Sequence, residues 1–82
     1  MPMLIGEAVR IRILELCEER NLSINQLGII SGVTQSTINN IVSGRNKSET
    51  ISTIKKLCDG LEITIQDFFE AECFYYLEPE VK

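Results

Sequence analysis

The apolar residues of this chain recur at helical spacing. Ile5, Val9, Ile13 and Leu16 follow one another at intervals of four and three, on one face of a helix expected over about Gly6 to Arg20. The same helix carries a second apolar line, Leu4, Ile11 and Leu14, on nearly the opposite side, where a lone small domain would place polar residues. Two coverings fit that line equally: the C-terminal segment of the chain, or a second copy of the protein.

Capping signals and periodicity together predict four further helices. Ser23 with Gln26 three residues on forms a capping box for helix 2, and Leu22 and Leu27 sit where a hydrophobic staple would close. Gly32 ends that helix, because a glycine just past the last turn adopts the left-handed conformation that other residues resist. Thr34 caps helix 3, from Gln35 to about Val42, which closes at Ser43-Gly44. After the polar run RNKSE, Thr50 caps helix 4, whose Ile51, Ile54, Leu57, Cys58 and Leu61 make an inward stripe that Gly60 weakens slightly. Thr64 with Asp67 marks helix 5, in which Ile65, Phe68 and Phe69 close the core. The remaining ECFYYLEPEVK either extends helix 5 or runs on as an extended arm, and Pro79 ends any helix by Glu78. The expected fold is all-α, a compact five-helix domain over residues 1–70 followed by an acidic, aromatic extension over 71–82.

Helices 2 and 3, between Ser23 and Gly44, have the layout of a helix-turn-helix. On helix 3, Ile38, Ile41 and Val42 point one way, and Ser36, Asn39, Asn40 and Ser43 the other. Such a polar face is either merely solvated or a reader of a DNA major groove, and the preceding glycine turn favours the reader. Gln and Asn match adenine N6 and N7 with two hydrogen bonds; Ser and Thr donate or accept, and a Thr methyl can rest on a thymine methyl. The candidate base-reading residues are Gln35, Ser36, Thr37, Asn39 and Asn40. No Arg or Lys lies on this helix, so the contacted positions are expected to lean toward A·T pairs. Thr34, Ser43, Arg45, Asn46 and Lys47 are the candidates for phosphate contact.

Composition narrows the remaining choices. The chain has 82 residues, enough for one domain, and 44% of them are apolar, which favours a globule over disorder. Its net charge of −4 is unevenly spread, with Arg45 and Lys47 just after helix 3, Lys55 and Lys56 on helix 4, and most of the acid after Cys58. That polarity would orient the protein in the field of DNA, with modest non-specific affinity. Cys17, Cys58 and Cys73 are widely spaced and there is no histidine, so neither a metal centre nor a disulfide framework is expected. A nucleophile with a visible base, a phosphate loop, a cofactor motif and a small-molecule substrate site are likewise not evident, and an enzyme is not expected. MPMLIGEAVRIRIL is broken by Glu7, Arg10 and Arg12, so it reads as neither signal peptide nor membrane span, and a cytoplasmic location is expected.

The chain resembles the phage Cro and repressor-like, or XRE-like, helix-turn-helix family of bacteria and their mobile elements. The resemblance rests on Leu27, Gly32, Val33, Ile38 and Ile41 at core and turn positions, on Ser43-Gly44, and on CDGLEITIQDFF as the ending of a fourth helix, a turn and a short fifth. It implies a transcriptional regulator, a repressor by preference, that binds palindromic double-stranded DNA as a homodimer. Leu4, Ile11, Leu14, Phe74, Tyr75, Tyr76 and Leu77 are the candidate dimer contacts. The chain departs from the family at Gly28, where alanine is usual and more room is expected, and at Ile24, where a phosphate-contacting glutamine is frequent. Cys17 and Val42 replace an Arg and Glu that pair in many members, so no charge is stranded. The alternative function is a protein-interaction module, such as an antitoxin or antagonist, that binds a partner through Phe74 to Glu80.

Overall fold

The caps expected at Ser23, Thr34, Thr50 and Thr64 all form, each side-chain oxygen accepting a hydrogen bond from a backbone N–H three residues on. In the computed structural model, which describes residues 3–44 and 50–81, they start four of five α-helices. The helices are α1 (Ile5–Glu19), α2 (Ile24–Ser31), α3 (Gln35–Val42), α4 (Ile51–Leu61) and α5 (Ile65–Phe69). At Ser23 and Thr64 the capping box is complete, with Gln26 and Asp67 reaching back to the cap's own N–H. Helix α1 begins at Leu4 without a side-chain cap, so its position depends on packing. None of these helices is long and apolar enough to cross a membrane.

One core joins all five helices: Val9, Ile13, Leu16 and Cys17 of α1, Leu27 of α2, Ile38 and Ile41 of α3, Ile54, Leu57, Cys58 and Leu61 of α4, and Phe68 of α5. Burying a side chain of the Leu, Ile or Phe class contributes roughly 1.5–3 kcal/mol, so this shared interior holds together helices too short to persist alone. The most extensive helix pair is α2 against α4. Gly60 permits it, because a Cβ there would stand 2.9 Å from the Ile30 carbonyl oxygen and from Ser31 Cα. The glycine that looked like a small defect in α4 is therefore a packing requirement.

Three expected core residues are displaced outward. Ile5, Ile51 and Ile65 are 37%, 72% and 36% exposed. Each is the first residue of its helix. Side chains on a helix lean toward its N-terminus, so an N-terminal side chain projects past the packed turn even when its angular position faces the core.

The C-terminal segment neither extends α5 nor runs free. Helix α5 ends at Phe69, Ala71 is extended, and a 3₁₀ turn over Glu72–Phe74 brings the chain back onto α1. Phe74 packs against Phe69 and Phe68 with ring centroids 4.8 and 6.2 Å away. Cys73 Sγ donates to the Ala8 carbonyl at 3.5 Å, Leu77 forms a parallel bridge with Met3, and the Glu78 N–H donates to the Met3 carbonyl at 2.8 Å. Arg12 clasps the end of α5, donating from Nε to the Phe68 carbonyl at 2.7 Å and from Nη2 to the Asp67 carbonyl at 2.8 Å. Of the second apolar line on α1, Ile11 is half-buried, whereas Leu4 and Leu14 remain exposed.

Candidate nucleic-acid interface

The turn between α2 and α3 is set by backbone geometry. Gly32 lies in the left-handed region at φ 68° and ψ 26°. Its N–H donates to the Ile29 carbonyl at 3.4 Å, and the Val33 N–H donates to the Gly28 carbonyl at 3.1 Å. The chain therefore reverses into α3 without stranding the end of α2. A Cβ on Gly28 would stand 3.1 Å from the Val33 carbonyl oxygen. This corrects the expectation of spare room at that crossing: the returning backbone has taken it up.

Helix α3 divides cleanly. Ile38 and Ile41 are fully buried and Val42 packs against the core, while Gln35, Ser36 and Asn39 are exposed and Thr37 and Asn40 are half-buried. The amide of Gln35 donates from Nε2 to Asn39 Oδ1 at 3.0 Å, so two candidate readers one turn apart form a single polar unit. Thr34 Oγ1 accepts from the Thr37 N–H at 3.2 Å and donates to Thr37 Oγ1 at 2.9 Å, fixing the first turn. Ser43 is exposed at the other end of the helix, and Arg45, Asn46 and Lys47 lie outside the described residues.

The far end of α3 is held by an arginine whose role is not legible in the sequence. The last four carbonyls of a helix lack intrahelical donors. Here the Ser43 N–H meets Asn39, the Ser43 hydroxyl meets Asn40 and the Gly44 N–H meets Ile41. The carbonyl of Val42 accepts instead from Arg10 Nε of α1 at 2.9 Å, and Arg10 Nη1 is paired with Glu7 at 3.0 Å. A cation at a helix C-terminus also complements the helix dipole.

Acidic side chains gather elsewhere. Glu15, Glu18, Glu19, Glu70 and Glu72 line a shallow cleft with Arg12 where α1 meets the C-terminal segment, whereas α3 carries no acidic residue. Burial pushes the thiols of Cys17, Cys58 and Cys73 above their ordinary range, with lesser contributions from Asp59 at Cys58 and Glu15 at Cys73. Among the described residues, no group of His, Cys, Asp or Glu is placed to hold a metal ion.

Two short helices joined through a left-handed glycine, the second buried on one side and presenting Gln, Ser and Asn on the other, define a helix-turn-helix domain. The profile of the Cro/C1-type HTH DNA-binding domain matches residues 12–73, and the chain belongs to that family. It is 44% identical over 58 residues to the HTH-type transcriptional repressor RghR of Bacillus subtilis (strain 168), covering 71% of this chain and 40% of that protein. It is 35% identical over 66 residues to the HTH-type transcriptional regulator SlrR of the same organism, covering 79% of this chain and 43% of that one. The chain thus spans under half the length of these relatives. Among solved structures it is similar to the prophage Lp1 protein 11, with a TM-score of 0.78 and 38% identity over 94% of this chain and all of that one.

Proposed function

We propose that this protein is a sequence-specific transcriptional regulator, a repressor, that lays α3 in the DNA major groove. The observation that carries the reading is the exposed, uncharged face of α3, with Gln35 and Asn39 hydrogen-bonded to each other and mounted on the buried Ile38 and Ile41. Side chains held in this way meet base edges with little ordering left to do. Gln35, Ser36, Thr37, Asn39 and Asn40 read bases; Thr34, Ser43, Arg45, Asn46 and Lys47 meet the sugar-phosphate backbone. Residues 1–70 form the DNA-binding part and 71–82 an extension, whose Cys73 and Glu78 bond to the carbonyls of Ala8 and Met3. The protein acts in the cytoplasm by occupying DNA, not by catalysis.

The homodimer forms through Leu4 and Leu14 with Tyr75 and Tyr76, which are among the large apolar side chains that the protomer leaves exposed. Phe74 is less available, because it packs within the protomer. The same packing weighs against the segment from Phe74 to Glu80 as a free partner-binding arm, and the family does not favour that alternative.

Selection of binding sites from a random duplex pool at near-physiological salt tests the proposal. The expected product is a two-fold symmetric, A·T-leaning motif with half-sites about 10 base pairs, or a multiple, apart. Folded protein that enriches nothing would refute sequence-specific reading by the protein alone.

A further inference from the structure

We infer that Arg10 is a positioning residue for DNA reading: by holding the Val42 carbonyl it fixes the tilt of α3, and with it the alignment of Gln35 and Asn39 on the bases. The inference rests on the proposed reading of DNA by α3. Helix α3 has only eight residues, so its direction depends on how its two ends are held. The first end is tied to α2 through the Val33 N–H and the Gly28 carbonyl, 3.1 Å apart, and the close approach at Gly28 leaves little play there. The other end is tied to α1 through Arg10 Nε and the Val42 carbonyl, at 2.9 Å.

The remaining carbonyls of the last turn are met by Ser43 and Gly44, which move with the helix and so cannot orient it. Arg10 acts from a different element. Its side chain is one-third exposed, and its Nη1 is steadied by Glu7, so the guanidinium makes two bonds in a fixed fork that an ammonium would not reproduce. The side chain of residue 42 is apolar in this chain, and what reaches it across the fold is a bond to its main chain. Without that bond Ile38 and Ile41 stay buried, but the last turn is free to swing, and a rigid reader becomes a loosely held one.

The test compares wild type with Arg10→Met, which keeps the aliphatic stem, and Arg10→Lys, which keeps the charge. Each is checked for folding by thermal unfolding and titrated with its selected site and with a random duplex at one salt concentration. Arg10→Met is expected to weaken the specific site about ten-fold more than the random duplex. Arg10→Lys is expected to retain the random-duplex affinity while recovering only part of the specific loss. Amide hydrogen exchange at Val42, Ser43 and Gly44 should accelerate in Arg10→Met, with Ile38 unchanged.

Equal loss on both duplexes, fully restored by lysine, would assign Arg10 to the general electrostatic field and overturn the inference. So would a specific-to-random ratio that stays within about two-fold of wild type in Arg10→Met. A Gln35→Ala control separates the two levels. If it loses specific affinity while Arg10→Met does not, α3 reads DNA without help from Arg10. If Gln35→Ala loses none, the reading by α3 fails and this inference falls with it.

Discussion

Gly60 of α4 and Ser31 of α2 meet so closely that a Cβ on the glycine would fall within contact of the serine hydroxyl and 2.9 Å from its Cα. Alanine gains up to about 1 kcal/mol over glycine in helix propensity, and at an exposed site Gly60→Ala would stabilise α4. Here the backbones of two packed helices have to separate. The expected outcome is a net loss of about 1 to 3 kcal/mol, measured by denaturant unfolding. The Ser31 hydroxyl is buried without a hydrogen-bond partner among the described residues, so Ser31→Ala should stabilise the protein by about 1 kcal/mol. In combination, Ser31→Ala should not rescue Gly60→Ala, because the main-chain contacts remain.

Arg12 makes the corresponding prediction for the C-terminal half. Its two bonds to the Phe68 and Asp67 carbonyls fix the end of α5 against α1, and the side chain is only 13% exposed. Arg12→Met, which keeps much of the apolar stem, should cost about 2 to 3 kcal/mol as charge-assisted hydrogen bonds are lost. The same guanidinium lies 3.5 Å from Glu15, itself half exposed. Glu15→Gln should therefore cost less than about 1 kcal/mol. Equal losses from the two variants would show that the ion pair, and not the clasp on α5, does the holding.

These two residues also mark where the fold ceases to be legible in the sequence. A cap is a local signal: Ser23 and Gln26, or Thr64 and Asp67, are three residues apart, and the hydrogen bond follows from that spacing. The buried stripe is nearly as local, and it goes astray only at Ile5, Ile51 and Ile65, where angular position says inward but the helix has not yet begun to pack. Arg10 and Arg12 reach carbonyls 32 and 56 residues away. Main-chain carbonyls carry no residue identity, so nothing in the pattern marks those partners. Gly60 is ambiguous for a similar reason: a helix penalty and a close crossing look alike until the neighbouring helix is placed. The polar face of α3 is readable from periodicity, but the hydrogen bond that joins Gln35 to Asn39 depends on rotamers, which periodicity does not specify.

The thiols predict a pH dependence. Cys17 and Cys58 are buried and Cys73 is half-buried, and all three are pushed above the ordinary thiol range, chiefly by burial. The folded chain then holds its thiol protons at a pH where the unfolded chain has begun to release them. The folded state binds more protons in that window, so stability falls as pH rises. This contribution is fully present below about pH 8.5, the ordinary thiol value, and is lost progressively above it. Denaturant midpoints measured from pH 7 to 10 should be level at first and then decline. A Cys58→Ala variant should show a smaller decline, and an unchanged one would remove Cys58 as a source.

Gln35 carries the sharpest functional prediction. Its bond to Asn39 uses one amide proton and leaves Oε1 and a second N–H for a base edge, a pattern that fits adenine N6 and N7. Gln35→Ala should weaken binding to the selected site by about 1 to 3 kcal/mol and leave random DNA nearly unchanged, with relaxed preference at a single position of each half-site. Asn39→Ala removes the acceptor that orients Gln35, so the two losses should be less than additive, with a coupling of at least about 0.5 kcal/mol in a double-mutant cycle. Strict additivity would mean that the pair seen in the free protein separates on DNA and that each amide reads its own base.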